Sequence, residues 1–432
     1  LSRPLLIINA RLLDPATGLD VKGGLLAVGE RIAELGPQVT AAMAPSGAEI
    51  IDAKGLCLAP GLVDMRVQLG EPGAEHKERI DSGAMAAAAG GVTSLALLPN
   101  TDPPIDNPAM LEFVARRARL VKLVKVYPYA ALTKKLEGKE LAELGLLKAA
   151  GAVAFTDADR TIANARLLRR ALSYATLFDG LIVQHPEEPE LARYGYVTEG
   201  ALASKLGLSG IPAAAEIIMV ERDLRILELT GGRLHIAHVS TAAAIEAIAA
   251  AKARGLRVTC DASPHHLALN ELEIEGYRTF AKVRPPLRSE QDRRAVVAGL
   301  KDGTIDVIAS DHCPQDQDSK RQTFAQAEPG VIGVQTMLPV AMRLHYEDGM
   351  PLLDLLRRMT SAPADLLGLD AGRLRKGSPA DCVLFDPDAP WKITEQALFS
   401  LSKNSAFEGR LVQGKVHRTI VDGRTIYTAA EA

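Results

Sequence analysis

The chain has 432 residues, 47% hydrophobic and 24% charged, with a net charge of −3, an ordinary soluble-globular composition long enough for one large domain and a smaller one. The near-neutral balance excludes charge-driven binding to a polyanion or an anionic membrane, and the sparse, dispersed aromatics argue against a base-stacking surface. No apolar run approaches the roughly 20 residues of a membrane span, and the apolar start Leu5 to Ile8 is broken by Asn9 and Arg11, so no signal peptide is read. The four cysteines, Cys57, Cys260, Cys313 and Cys382, are far apart and form no C-x-x-C pair. They are expected to be reduced thiols of a cytoplasmic protein.

Residues 4 to about 58 read as short strands and turns. Leu5-Leu6-Ile7-Ile8, Gly24 to Val28 and Arg31 to Leu35 are separated by Asp14-Pro15, Gly23-Gly24 and Gly29-Glu30. The C-terminal end has the same texture, with Ala380 to Phe385 and His417 to Val421 preceding turns at Asp386-Pro387 and Asp422-Gly423. Residues 1–58 and 367–432 are therefore expected to form one composite β-sandwich domain.

Between them, residues 59–366 alternate apolar strands with helical patterns. The strands are Leu62–Leu69, Thr93–Leu98, Lys125–Tyr129, Ala152–Thr156, Leu181–His185, Leu234–His238, Arg257–Asp261 and Val307–Ser310. Helical spacing falls at Asp81–Ala89, Ile162–Tyr174, Ala213–Leu229 and Ala242–Ala253. Eight such units over roughly 300 residues predict an α/β fold, a (β/α)8 TIM barrel. The competing arrangement, an open doubly wound sheet, is disfavoured because no G-x-G-x-x-G follows a strand.

In such a barrel, chemistry sits at the C-terminal strand ends. Strand one offers Arg66 and Gln68, strand four ends at Asp157, strand five at His185, strand six at His238, and strand eight at Asp311 and His312. Plainer explanations exist: Asp157 as a helix N-cap, His185 and His238 as hydrogen-bonded core histidines, and His235 either as packing or as a support behind the site residues. Together, two imidazoles and two carboxylates on one rim make a ligand set suited to Zn²⁺ or a similar ion.

These motifs are specific enough to name a family. The chain resembles dihydroorotases of the cyclic amidohydrolase group nearly end to end. The resemblance is carried by Ala59-Pro60-Gly61-Leu62-Val63-Asp64, Gly70-Glu71-Pro72-Gly73 with Lys77-Glu78, Ala89-Gly90-Gly91-Val92-Thr93 and Leu98-Pro99-Asn100-Thr101. It continues through Ala154-Phe155-Thr156-Asp157, His235-Ile236-Ala237-His238-Val239-Ser240-Thr241, Pro264-His265-His266-Leu267 and Pro285-Pro286-Leu287-Arg288. Ser310-Asp311-His312-Cys313-Pro314, Gly377-Ser378-Pro379-Ala380-Asp381 and Asn404-Ser405-Ala406-Phe407 complete it.

The resemblance implies an amidohydrolase in which zinc holds a hydroxide that attacks a ring amide, with Asp311 as the proton-shuttling base. It implies one metal on Asp157, His185 and His238, with Asp311 serving a second, and Asn100 as a substrate contact. It also exposes departures. The family's His-x-His on strand one is Arg66 and Gln68, and Arg stays protonated and cannot ligate a metal. Gly70 stands where the family clamps the substrate carboxylate with Arg, Gln315 replaces a substrate-binding His, and Arg284 replaces an Asn.

At most one zinc ion is therefore expected, with none as the alternative. The implied role is that of an inactive or weakly active homologue, structural with aspartate carbamoyltransferase in pyrimidine synthesis. Its alternative is a working mononuclear hydrolase of a cyclic amide or ureide, with Asp311 as base. A homo-oligomer is expected by family analogy alone.

Overall fold

The computed structural model describes residues 3–430. Its central part is a ring of short, parallel, mostly buried strands. The first three, Leu62–Val67, Val92–Leu97 and Lys125–Pro128, pair in that order. Past Tyr129 the ring continues through Ala130–Ala131, Phe155–Thr156, Leu181–Gln184, Arg233–Ile236, Val258–Ala262 and Val307–Ile308. A parallel bridge from Val67 to His312, with Gln68 N donating to His312 O at 2.8 Å, joins the last strand's extension to the first. Every sequence-assigned barrel strand is present, usually shorter at its C-terminal end, because the polar residues there leave the ladder to form the rim.

These strands are apolar runs because both faces are covered. Val92–Leu97 is buried at all six positions, as parallel sheets wrapped in helices require. The covering helices bury one face each: Ala165–Ala175 turns Leu167, Leu168, Ala171 and Leu172 inward, and its N-cap Asn164 accepts from Leu167 N at 3.2 Å. Truncating one such side chain, for example Leu168→Ala, is expected to cost about 2–5 kcal/mol.

The strands of both termini join in one hydrogen-bonded eight-stranded sheet, so the terminal β domain is built from both ends of the chain. The physical reason is the strand Cys57–Pro60. It pairs parallel with Leu5–Asp14 on one side and antiparallel with Cys382–Lys392 on the other, so the two ends of the chain share a ladder. At Gly61 the chain passes directly into the first barrel strand. A Cβ there would lie 2.1 Å from Thr93 Oγ1, so only glycine permits this close approach. All four cysteines are unpaired, and among the described residues no helix is long and apolar enough to cross a membrane.

Candidate functional site

The strand ends bring Arg66, Gln68, His185, His238 and Asp311 together. Arg66 is the largest fully buried side chain of the molecule. Its Nε donates to Asp311 Oδ1 at 2.8 Å and its Nη2 to Asp159 Oδ1 at 2.5 Å. Gln68 Nε2 donates to the other oxygen of Asp159 at 2.6 Å, and Gln68 Oε1 accepts from Asn100 Nδ2 at 3.0 Å. Across the centre, His238 Nδ1 lies 3.2 Å from Asp311 Oδ2, and His238 Nε2 lies 2.7 Å from His185 Nδ1. Glu187, beside His185, is paired in turn with Arg284, whose Nε donates to it at 2.7 Å.

Burial alone would raise the Asp311 pKa and lower that of Arg66. For Asp311, the neighbouring His238 and Arg66 outweigh burial and hold the carboxyl well below its ordinary value. For Arg66, Asp311 and Asp159 outweigh burial and hold the guanidinium charged. Burial also lowers His185, and it pushes His265 down to about 4. Asp311 is thus an ion-paired anion, poorly matched to taking a proton near neutral pH.

Asp157 does not join this group. Its carboxylate turns to Thr133, accepting from the backbone N at 2.9 Å and from the hydroxyl, and burial pushes its pKa up to about 6. The carboxylate that reaches the centre is Asp159. A single residue, Ala158 with φ 58°, turns the chain between them. Sequence reading missed Asp159, although an Asp-Ala-Asp stretch at a strand end is a visible signal. It also missed Asp261, whose Oδ1 accepts from His238 N at 2.8 Å while Oδ2 pairs with His235 Nε2 at 2.8 Å. His235 therefore belongs to the support of the sixth strand's end.

The other substituted positions are also accounted for. Gln315 Nε2 donates to Pro329 O at 3.0 Å, and its Oε1 accepts from Lys77 Nζ at 2.8 Å. At Gly70 a Cβ would lie 2.0 Å from Ala74 O, so the loop as folded has no room for any side chain there. His312 faces away from the centre, its Nδ1 accepting from Gly333 N at 3.1 Å.

The donor set does not fit a divalent metal. Two imidazole nitrogens on one tetrahedral zinc stand about 3.3 Å apart, given bonds of about 2.0–2.1 Å. Here they share a hydrogen bond at 2.7 Å. Asp157 faces elsewhere, and the Arg66 guanidinium is already ion-paired with both Asp311 and Asp159. Among the described residues no group of three or more His, Cys, Asp or Glu side chains is arranged to hold a metal ion. The set Asp157, His185, His238 and Asp311 expected from sequence is thus brought together only in part.

Some of a reactive site's framework is nevertheless present. His238 and Asp311 adopt φ 36° and 51°, left-handed conformations that cost about 1–3 kcal/mol each and cluster at functional sites. Arg66 Nη1, His185 Nε2, His265 Nε2 and Glu187 Oε2 are buried without hydrogen-bond partners. A cavity of about 150 Å³ remains beside Gln68, Asp159, His265, Arg284 and Asp311.

Comparison with known proteins places this geometry. A family model described as dihydro-orotase-like matches residues 55–244, and an amidohydrolase family model matches residues 217–427. A dihydroorotase of Geotalea daltonii is 45% identical over 98% of this chain and 98% of its own length. One from Anaplasma phagocytophilum is 44% identical over 98% of this chain and 95% of its own. Among solved structures, an L-hydantoinase (dihydropyrimidinase) from Arthrobacter aurescens superposes with a TM-score of 0.87 at 24% identity, covering 99% of this chain and 96% of that one. A dihydropyrimidinase from Brevibacillus agri gives 0.86 at 23%, covering 98% and 94%. At that identity the likeness is one of fold, the amidohydrolase TIM barrel.

Proposed function

This chain belongs to the dihydroorotase family of amidohydrolases, and we propose that it is a member without metal-dependent hydrolytic activity, kept for its association with aspartate carbamoyltransferase. One observation carries the first half: the Arg66 guanidinium bridges Asp311 and Asp159 at the place where the resemblance implies a metal. Ring-amide hydrolysis needs an activated water and a base free to move a proton. Here the implied base is tied to two partners, and the two imidazoles are tied to each other.

The second half rests on physical economy. Folding and surface do not need the metal, so a partner role tolerates loss of the ligands. Lost substrate contacts at Gly70 and Gln315 accompany lost metal ligands at Arg66 and Gln68, as expected when chemistry is no longer required. The mononuclear alternative needs Asp157, His185 and His238 to converge. The Thr133 contacts of Asp157 and the His185–His238 hydrogen bond speak against it.

The test has two arms. Turnover of dihydroorotate by the purified chain, with its metal content, tests the loss of chemistry. Co-purification with aspartate carbamoyltransferase, with carbamoyltransferase activity compared with and without this chain, tests the partner role. Turnover with stoichiometric zinc overturns the first; absence of a stable complex overturns the second.

A further inference from the structure

A groove of about 840 Å³ lies away from the barrel centre, between the segment Lys139–Glu143 and the helix Ala165–Ala175. Three arginines of that helix line it: Arg166, Arg169 and Arg170. Their i, i+3, i+4 spacing puts them on one face, where like charges oppose one another. Arg166 also sits in the first turn, which carries no acidic residue, so its charge faces the positive end of the helix dipole.

Among the described residues, none of the three has an ion-pair or side-chain hydrogen-bond partner. Other helices carry arginines that are paired within the helix: Arg293 and Arg294 with Glu290, and Arg343 with Glu347. On the opposite wall Glu140 is already neutralised by Lys134. Three arginines face one carboxylate, Glu143, that has no ion-pair partner among the described residues, so the groove is a positive concavity on a chain whose net charge is −3, and most of its counter-charge has to come from outside.

The rim says what kind of anion fits. Tyr174 lines the groove at 37% exposure, and Leu177, one turn further on, is 78% exposed. Leu146, 60% exposed, follows Gly145, where a Cβ would lie 2.7 Å from Tyr174 Oη. Arginine and tyrosine with bordering apolar side chains is the composition of a protein interface, and a phosphate pocket needs no such rim. We infer that this groove docks an acidic, leucine-bearing segment of a partner protein. The inference stands apart from the reading of the barrel centre.

The experiment uses a fluorescein-labelled synthetic peptide alternating Asp, Glu and Leu, titrated by anisotropy against the full chain. Saturable binding is expected, weakened about tenfold or more in the triple variant Arg166→Gln, Arg169→Gln, Arg170→Gln. It is expected to persist in Lys22→Gln, Lys54→Gln, Arg424→Gln, which lowers charge equally on the terminal sheet. A peptide with Ser for Leu is expected to bind about threefold or more weakly. No saturable binding, or equal loss in both triple variants, overturns the inference. So does equal affinity for the Ser peptide with full competition by pyrophosphate, which would make the groove a small-anion site. A changed oligomeric mass of the arginine variant in sedimentation would overturn it by making the occupant a second copy of this chain.

Discussion

Arg66 and Asp311 meet at the centre of the barrel, Nε to Oδ1 at 2.8 Å, and both are buried. The guanidinium does electrostatically what a metal cation would do for that carboxylate, without offering a Lewis acid or a bound water. Its second contact, to Asp159, makes the pairing a bridge between the first, fourth and eighth strand ends.

Removing that charge is expected to be expensive. Arg66→Met leaves Asp311 a buried anion without its cation and takes the guanidinium from the partly exposed Asp159, a loss of about 3–5 kcal/mol, read from urea unfolding at neutral pH. Arg66→Lys, which keeps the charge but not the fork, should fall in between. Unchanged stability in Arg66→Met would show that the bridge does not hold these strand ends together.

The two aspartates of the fourth strand end are expected to separate by phenotype. Asp157→Ala strands Thr133 N and its hydroxyl, costing about 1–3 kcal/mol, with no change in zinc affinity measured by calorimetry. A fall in zinc affinity in Asp157→Ala, with stability intact, would restore this residue to a metal site.

This division marks what the sequence made legible. Eight barrel strands could be read because buried parallel strands are apolar runs, and the polar residues closing five of them marked the rim. Which carboxylate points inward could not be read, since one left-handed residue, Ala158, decides between Asp157 and Asp159. Nor could the single terminal sheet: Cys57-Leu58-Ala59-Pro60 is a short apolar run whose pairing partners, residues 11–12 and 382–385, lie at opposite ends of the chain. The loss at Gly70 was visible, but its cause was not. Only the fold shows that Ala74 O fills the space a side chain would need.

That crowding gives a third expectation. Gly70→Ala puts a Cβ 2.0 Å from Ala74 O, and the forced shift of the loop should cost about 1–3 kcal/mol, seen as a lowered Tm. A variant as stable as the parent would mean that the loop yields freely and that the clamp position is open.

His265 supplies a pH dependence. Burial lowers its pKa to about 4, against about 6.5 in the unfolded chain. Between these values the unfolded state binds the proton and the folded state does not, so this residue's contribution to stability is complete above pH 6.5 and lost as pH falls towards 4. Relative to His265→Asn, the parent should lose on the order of 3 kcal/mol across that window. Parallel stability curves for the two proteins would contradict this.

The most direct test of the central claim is zinc content and dihydroorotate turnover, measured on the same full-length preparation after growth and dialysis in zinc. With Arg66 in the cation's place, less than about a tenth of an equivalent of tightly bound zinc is expected, with turnover no faster than in buffer. One zinc per chain together with zinc-dependent turnover would contradict it.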